Sequence, residues 1–95
     1  MTREEHLLVV LSEECSEVAK ETAKALRFGL NDKEPNQNIT NCEKIVTEFN
    51  DLFAVMRMLV DDGIIPEGDM LDIKAIEAKK QKVEKYLKYS KSVGK

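Results

Sequence analysis

Two capping boxes divide most of this chain into two long helices. In a capping box, a Ser or Thr side chain accepts a bond from the backbone three residues later, where a Glu bonds back. Thr2-x-x-Glu5 and Thr40-x-x-Glu43 have this pattern, and apolar residues at i, i+3 and i+4 follow each of them. The stripes are Leu7, Leu8, Leu11, Cys15, Val18, Thr22, Ala25 and Leu26, then Ile45, Phe49, Leu52, Phe53, Met56, Leu59 and Val60. This period predicts two amphipathic α-helices.

The remaining segments predict a loop, a short connection and a third helix. Gly29 is placed to end the first helix, and residues 30–39 have no apolar period, which is typical of a loop. Asp61-Asp62-Gly63 closes the second helix, and Pro66 interrupts the connection, where a short helical turn is expected. Asp69 or Asp72 can cap a third helix that runs to about Ser90. Its apolar positions are Ile73, Ile76, Val83, Tyr86 and Leu87.

The predicted fold is all-α, with two long antiparallel helices, a basic third helix and a single domain spanning residues 1–95. A chain of 95 residues builds only a modest core. Three helices with wide apolar stripes do not close such a core well by themselves. We therefore expect a four-helix bundle completed between protomers, in a homodimer or a homotetramer.

Several functional classes are disfavoured by composition. No apolar run approaches the ~20 residues of a membrane span, and the charged start is unlike a signal peptide. Cys15 and Cys42 have no CxxC partner, so we expect two reduced, buried thiols and a cytoplasmic protein. The net charge of −3 gives no general attraction to nucleic acid.

Two pairs of carboxylates stand out, and each pair lies three residues apart on a predicted helix. Residues at this spacing are neighbours, so Glu14 and Glu17 can reach one ion, as can Glu48 and Asp51. Ligation by oxygen alone favours hard cations such as Mg²⁺ or Mn²⁺. Acidic pairs are also common on solvated helix faces. These two flank the apolar stripes near mid-helix, where antiparallel pairing brings them level.

The combined pattern Glu13-Glu14-x-x-Glu17 and Glu48-x-x-Asp51 resembles the EExxE…ExxD signature of the MazG-type all-α nucleoside triphosphate pyrophosphohydrolases. The similarity covers residues 7–59 well and the third helix loosely, and it is greatest to the short single-domain forms, some of them phage-encoded. The flanking matches are Leu11, Lys24-x-x-Arg27-Phe28-Gly29 and Asp51-Leu52-x-Ala54-Val55. Glu48 follows Glu17 by 31 positions, at or beyond the long end of the family's spacing, and the loop accommodates the extra residues.

The resemblance implies a metal-dependent hydrolase. According to this resemblance, Glu14, Glu17, Glu48 and Asp51 bind Mg²⁺, for which Mn²⁺ can substitute. The ions hold a nucleoside or deoxynucleoside triphosphate, and water attack yields the monophosphate and pyrophosphate. Glu13 is a candidate catalytic residue that orients or deprotonates the water, or else supports the ligands.

Basic residues supply candidate contacts to substrate phosphate. Lys79 interrupts the apolar stripe of the third helix, so we expect it to meet an anion, either a carboxylate of the cluster or a phosphate. Lys82, at the edge of that stripe, is a weaker candidate. Lys24 and Arg27 lie away from the stripe of the first helix, as surface residues or as phosphate contacts from a neighbouring protomer.

Two other functions remain compatible with the sequence. One is a catalytically inactive helical protein that binds nucleotide or another protein. The other is a nucleic-acid-binding module that uses the Lys-rich third helix, although the interspersed Glu77 and Glu84 disfavour it. The residues do not indicate which nucleotide a hydrolase of this kind would cleave.

Overall fold

The computed structural model describes the backbone of all 95 residues and every side chain except that of Asp69. The described residues form three α-helices and no strands, which confirms the all-α prediction. Helix α1 spans Arg3–Phe28, α2 spans Asn41–Asp61 and α3 spans Ile73–Ser92. A single 3₁₀ turn, Glu67–Asp69, lies between α2 and α3, where a short helical turn was expected.

The helix boundaries follow the capping chemistry of the sequence. Both capping boxes form, with Thr2 accepting a bond from the Glu5 amide and Thr40 accepting one from the Glu43 amide. Gly29 ends α1 at a φ of 102°, in the region that glycine tolerates best, and its amide donates to the Ala25 carbonyl. The cap of α3 is Asp72, whose side chain accepts from Ala75. The side chain of Asp69, the alternative cap, lies outside the described residues.

Helices α1 and α2 pack in antiparallel directions within a compact unit, Met1–Ile65. At one end, Arg3 Nε donates to Asp62 Oδ2 over 2.7 Å, which ties the start of α1 to the end of α2. Next to this contact lies the core, where Leu7 packs against Val55 and Leu59. The partly buried residues that surround it are Val10, Leu11, Met56, Ile64 and Ile65.

The opposite end of this unit is held by polar contacts from the start of α2. Asn41 is almost fully buried, and its Nδ2 donates to the Gly29 carbonyl over 2.9 Å. Its amide donates to the Asp32 carbonyl, and the Cys42 amide donates to the Leu30 carbonyl. These bonds join the loop to both helices. Hydrophobic packing at one end and hydrogen bonding at the other therefore fix how far α1 and α2 can slide past each other.

The apolar stripes are wider than the contact between α1 and α2. Leu26 is 89% exposed and Phe49 is 53% exposed, although both lie at stripe positions. Cys15 and Cys42 are free and exposed, so the prediction of buried thiols was wrong. Two packed helices cover only the facing part of each stripe, and side chains at its edges stay in water.

A second compact unit spans Pro66–Lys95 and contains the 3₁₀ turn and α3. Helix α3 has no buried residue, and its only ion pair among the described residues joins Lys80 to Glu77 on its surface. None of the helices, within the described residues, has the length and apolar character that crossing a membrane requires.

Candidate metal centre

Three carboxylates from α1 and α2 converge near the middle of the two helices. One oxygen from each of Glu14, Glu48 and Asp51 lies within 4.8 Å of the other two. Glu14 and Glu48 are partly buried, whereas Asp51 is exposed. The antiparallel pairing therefore brings one member of the first predicted pair level with both members of the second.

Further carboxylates of α1 act electrostatically on Glu48. Its pKa is raised above the ordinary value, first because burial disfavours the charged form. Neighbouring negative charges raise it further, and in descending order these belong to Asp51, Glu17, Glu14 and Glu21. The negative charges of the other three predicted metal ligands, and of Glu21, thus all act on Glu48.

This donor set fits a hard divalent cation. Every charged group that shifts the pKa of Glu48 is a carboxylate, and carboxylate oxygen is the ligand type that Mg²⁺ and Mn²⁺ prefer. Like charges this close are unfavourable without a cation, as the raised pKa of Glu48 indicates. The buried Oε2 of Glu21 also has no hydrogen-bond partner. The residues present therefore suit a cation, although exposed acidic groups often occur without one.

A cluster of alternating charges lies next to the carboxylates and anchors the loop. Lys24 of α1 and Lys44 of α2 both reach Glu34 Oε1, over 2.7 and 3.2 Å. Lys24 also lies 3.7 Å from Glu21. Hydrogen bonds from the two lysines hold the pKa of the Glu34 carboxyl below its ordinary value of 4.5. Both lysine side chains are mostly buried, so Lys24 is not the plain surface residue that its position suggested.

We expect the substitution Glu34→Gln to lower stability at neutral pH and to have little effect in acid. A carboxyl whose pKa is depressed by folding stabilises the protein above its unfolded-state pKa, and this contribution disappears as pH falls through the folded-state pKa. The difference in unfolding free energy between wild type and Glu34→Gln should therefore be constant above about pH 6 and shrink below pH 4.5. Urea unfolding at several pH values measures it.

The control for this loop is Lys33→Met, because Lys33 is a neighbouring exposed residue with no described ion pair. The difference in unfolding free energy between Lys33→Met and wild type should be the same at neutral and at acidic pH. If the difference in unfolding free energy between wild type and Glu34→Gln stayed constant down to pH 3, the ion pairs with Lys24 and Lys44 would not stabilise the fold.

The other predicted site residues occupy separate places. Glu13 is exposed on α1, one position before Glu14. Arg27 stacks its guanidinium over the Phe28 ring, 5.1 Å from the centroid. Lys79 and Lys82 are exposed residues of the second unit. Because the Lys79 ammonium is exposed and hydrated, it does not require an anionic partner within the chain. Its contact with a substrate phosphate stays a prediction.

Three residues near the carboxylates were not among the sequence candidates. Glu21 lies four residues after Glu17, a spacing that places the two on one helix face, so the sequence could have indicated it. Lys44 lies four residues before Glu48, at a spacing that also indicates a shared helix face. Glu34 lies in a loop without periodicity, so the sequence contained no signal for its position.

The chain was also compared with known proteins. No known protein family, curated protein or solved structure matches it significantly. The arrangement of its own side chains and the resemblance of its motifs are therefore what indicate a function for this chain.

Proposed function

We propose that this protein is an Mg²⁺-dependent pyrophosphohydrolase that cleaves a nucleoside or deoxynucleoside triphosphate to the monophosphate and pyrophosphate. The metal ligands would be Glu14, Glu17, Glu48 and Asp51. The observation that carries the proposal is the convergence of Glu14, Glu48 and Asp51 to within 4.8 Å, from two helices, at the positions of the EExxE…ExxD pattern.

The electrostatics of these carboxylates favours a metal site over an ordinary solvated acidic helix face. Solvated carboxylates on one helix diverge into water, whereas these come from facing helices and raise the pKa of Glu48. Such a site repels a bare triphosphate. It binds one only when cations reverse the local charge, so metal and substrate binding must be coupled.

Each residue then has a definite part in the reaction. The carboxylates would hold and orient the cations, and Mg²⁺ bound there would supply charge neutralisation on phosphate oxygens and an acidified water. Glu13 is exposed on α1, one position before Glu14, and is the candidate to orient or deprotonate the attacking water, or else to support the ligands. The ion pairs of Lys24 hold the end of α1 against the loop, which keeps the ligands on the two helices in register.

The remaining basic residues and the exposed apolar surface belong to the same proposal. Arg27, Lys79 and Lys82 are exposed cations and are the proposed contacts to the triphosphate. Exposed apolar side chains on all three helices support assembly into a homodimer or homotetramer with a four-helix core. The principal ones are Leu8, Leu26, Val46, Phe49, Ile73, Tyr86 and Leu87.

The test is pyrophosphate release from a panel of nucleoside and deoxynucleoside triphosphates, with Mg²⁺ and with excess chelator. We expect release with Mg²⁺ from at least one member of the panel, and none with chelator. The preferred nucleotide then identifies the substrate class. The assay should include Mn²⁺, which we expect to replace Mg²⁺ because it shares the preference for oxygen ligands.

A negative panel has a definite meaning if the protein is folded. Nucleotide binding in Mg²⁺ without release of pyrophosphate would favour a helical nucleotide-binding protein over a hydrolase. Tight binding to DNA or RNA that weakens steeply with salt would instead favour a nucleic-acid-binding module. Release of pyrophosphate that persists in chelator would contradict the metal-dependent mechanism.

A further inference from the structure

Helix α3 carries an apolar stripe that is exposed in the single chain. None of its residues, all of which belong to the described part of the chain, is buried. Its principal apolar side chains are spaced for one face of a helix, yet each is between 42% and 76% exposed: Ile73, Ile76, Val83, Tyr86 and Leu87. Most helical stability in proteins comes from the packing of such a face. Helix α3 therefore requires a partner surface.

The unit formed by α1 and α2 has an exposed apolar surface of its own. An open groove of about 490 Å³ joins the two helices at their loop end, and its lining is mostly apolar: Thr22, Ala25, Leu26, Leu30 and Ile45. Phe49 lies four residues after Ile45, one helical turn further on, and its ring centroid is 6.5 Å from that of Phe53. We call the groove and these two rings the hairpin face.

The two compact units have net charges of opposite sign. Residues 66–95, which contain α3, include eight Lys and five Asp or Glu. Residues 1–65, which contain the hairpin face, include thirteen Asp or Glu and seven Lys or Arg. Opposite net charges attract, whereas two acidic units or two basic helices repel each other. Charge therefore favours a contact between α3 and the hairpin face over a contact between two like units.

The connection that precedes α3 favours a second copy as the partner. Leu71, just before the cap of α3, has a φ of 58°, a left-handed conformation that a leucine rarely adopts. A short connection under strain promotes exchange of the element that follows it, because the connection can relax when another chain holds that element. The strain at Leu71 thus points to exchange between copies.

We propose that two copies of this chain exchange their third helices, so that α3 of each copy covers the hairpin face of the other. The contacting side of α3 carries Ile76, Val83 and Leu87. This inference deepens the proposed function, because it names the surfaces that join the homo-oligomer, whose four-helix core would then include α3 from each copy. The exchange needs neither metal nor nucleotide. It removes apolar side chains of both units from water and brings their opposite charges together.

The test is the dissociation constant of the full-length dimer, measured by analytical ultracentrifugation in chelator without nucleotide. We expect a wild-type dimer that weakens as salt rises, since salt screens the attraction between its units. Val83→Glu should raise the dissociation constant about 100-fold or more, because the contact would bury an unpaired charge. The matched control is Gln81→Glu, an exposed position about 200° round the helix, which should change the constant less than about threefold.

A mixture of two variants tests whether the helices are exchanged. Phe49→Glu damages the hairpin face and leaves α3 intact, so it should be monomeric, like Val83→Glu. Mixed in equal amounts, the two variants should form a heterodimer, which retains one intact contact between α3 and the hairpin face. Thr47→Glu, an exposed position on the other side of α2, is the control and should dimerise alone. Leu26→Glu, at a side chain that is 89% exposed, replaces Phe49→Glu if that variant unfolds.

Three outcomes would overturn the exchange. If Val83→Glu dimerised like wild type and Phe49→Glu did not, two hairpin faces would be in direct contact, and salt should strengthen that dimer. If the mixture of variants stayed monomeric, the contact would not be reciprocal. If wild type were monomeric, α3 would have no second copy as its partner. Binding of that monomer to phosphatidylglycerol vesicles, lost in Val83→Glu, would then make α3 a membrane-surface helix.

These results are independent of the hydrolase. A dimer that depends on Val83 and Phe49, without pyrophosphate release from any nucleotide, would support the exchange and contradict the proposed enzyme. Pyrophosphate release by a protein that stays monomeric would support the enzyme and contradict the exchange.

Discussion

The substitution Glu48→Gln should abolish pyrophosphate release while making the metal-free protein more stable. Glu48 supplies one of the three converging oxygens and is acted on by the charges of its neighbours, so the substitution removes a proposed ligand from the cluster. We expect turnover to fall about 100-fold or more, because changes even around metal ligands cost 10- to 100-fold. Pyrophosphate release under saturating Mg²⁺, with the best nucleotide of the panel, measures the loss.

The gain in stability follows from the sign of the pKa shift. A carboxyl whose pKa is raised by folding opposes folding when it is ionised, and this penalty is complete above its folded-state pKa and absent below its unfolded-state pKa of about 4.5. In chelator at pH 7.5, Glu48→Gln should therefore melt above wild type, and the two should converge near pH 4. In Mg²⁺ the order should reverse, because only wild type gains binding energy.

The control for Glu48→Gln is Glu77→Gln, an exposed glutamate of α3 outside the carboxylate cluster. It should keep its turnover and should not show a crossover of melting temperatures between chelator and Mg²⁺. A Glu48→Gln protein that kept wild-type turnover would contradict the metal centre. One that lost turnover but melted lower in chelator would mean that Glu48 acts mainly by supporting the fold.

The substitution Leu59→Ala should remove a large share of the folding stability. Leu59 is 0% exposed and packs with Leu7 and Val55 in the one buried apolar cluster found among the described residues. Truncating a buried leucine costs about 2–5 kcal/mol, because it loses transfer energy and leaves a cavity. Small domains have only about 5–15 kcal/mol of total stability. Urea unfolding followed by circular dichroism at 222 nm, at fixed protein concentration, measures the change.

Leu26→Ala is the matched control, since it removes the same atoms from a side chain that is 89% exposed. Its effect on unfolding should stay within about 0.5 kcal/mol. If Leu26→Ala and Leu59→Ala lowered the free energy of unfolding equally, the core between α1 and α2 would not be the main source of stability. Loss of an oligomer by Leu26→Ala, with the fold intact, would indicate that the exposed stripe forms the contact between protomers.

The extent of the helices was predictable because their signals are local. A capping box or a glycine at positive φ acts within a few residues, so Thr2, Gly29 and Thr40 indicated helix ends without any knowledge of the tertiary structure. The hydrophobic period also indicated which faces of α1 and α2 meet. It overstated how much of each face is covered, as the exposure of Cys15 and Cys42 shows. Coverage depends on the partner helix, and the sequence period does not contain that information.

The sequence by itself determined the helices and the two pairs of carboxylates, because helical spacing places residues three or four apart side by side. Only the tertiary structure decided which carboxylates meet across the helices. The stagger of α1 against α2 is set by the packing of Leu7 on Leu59 and by the Asn41 bonds to the loop. That stagger brings Glu48 and Asp51 level with Glu14, and it brings the charge of Glu21 to bear on Glu48. A stagger is a relation between distant segments, and no local pattern in either helix specifies it.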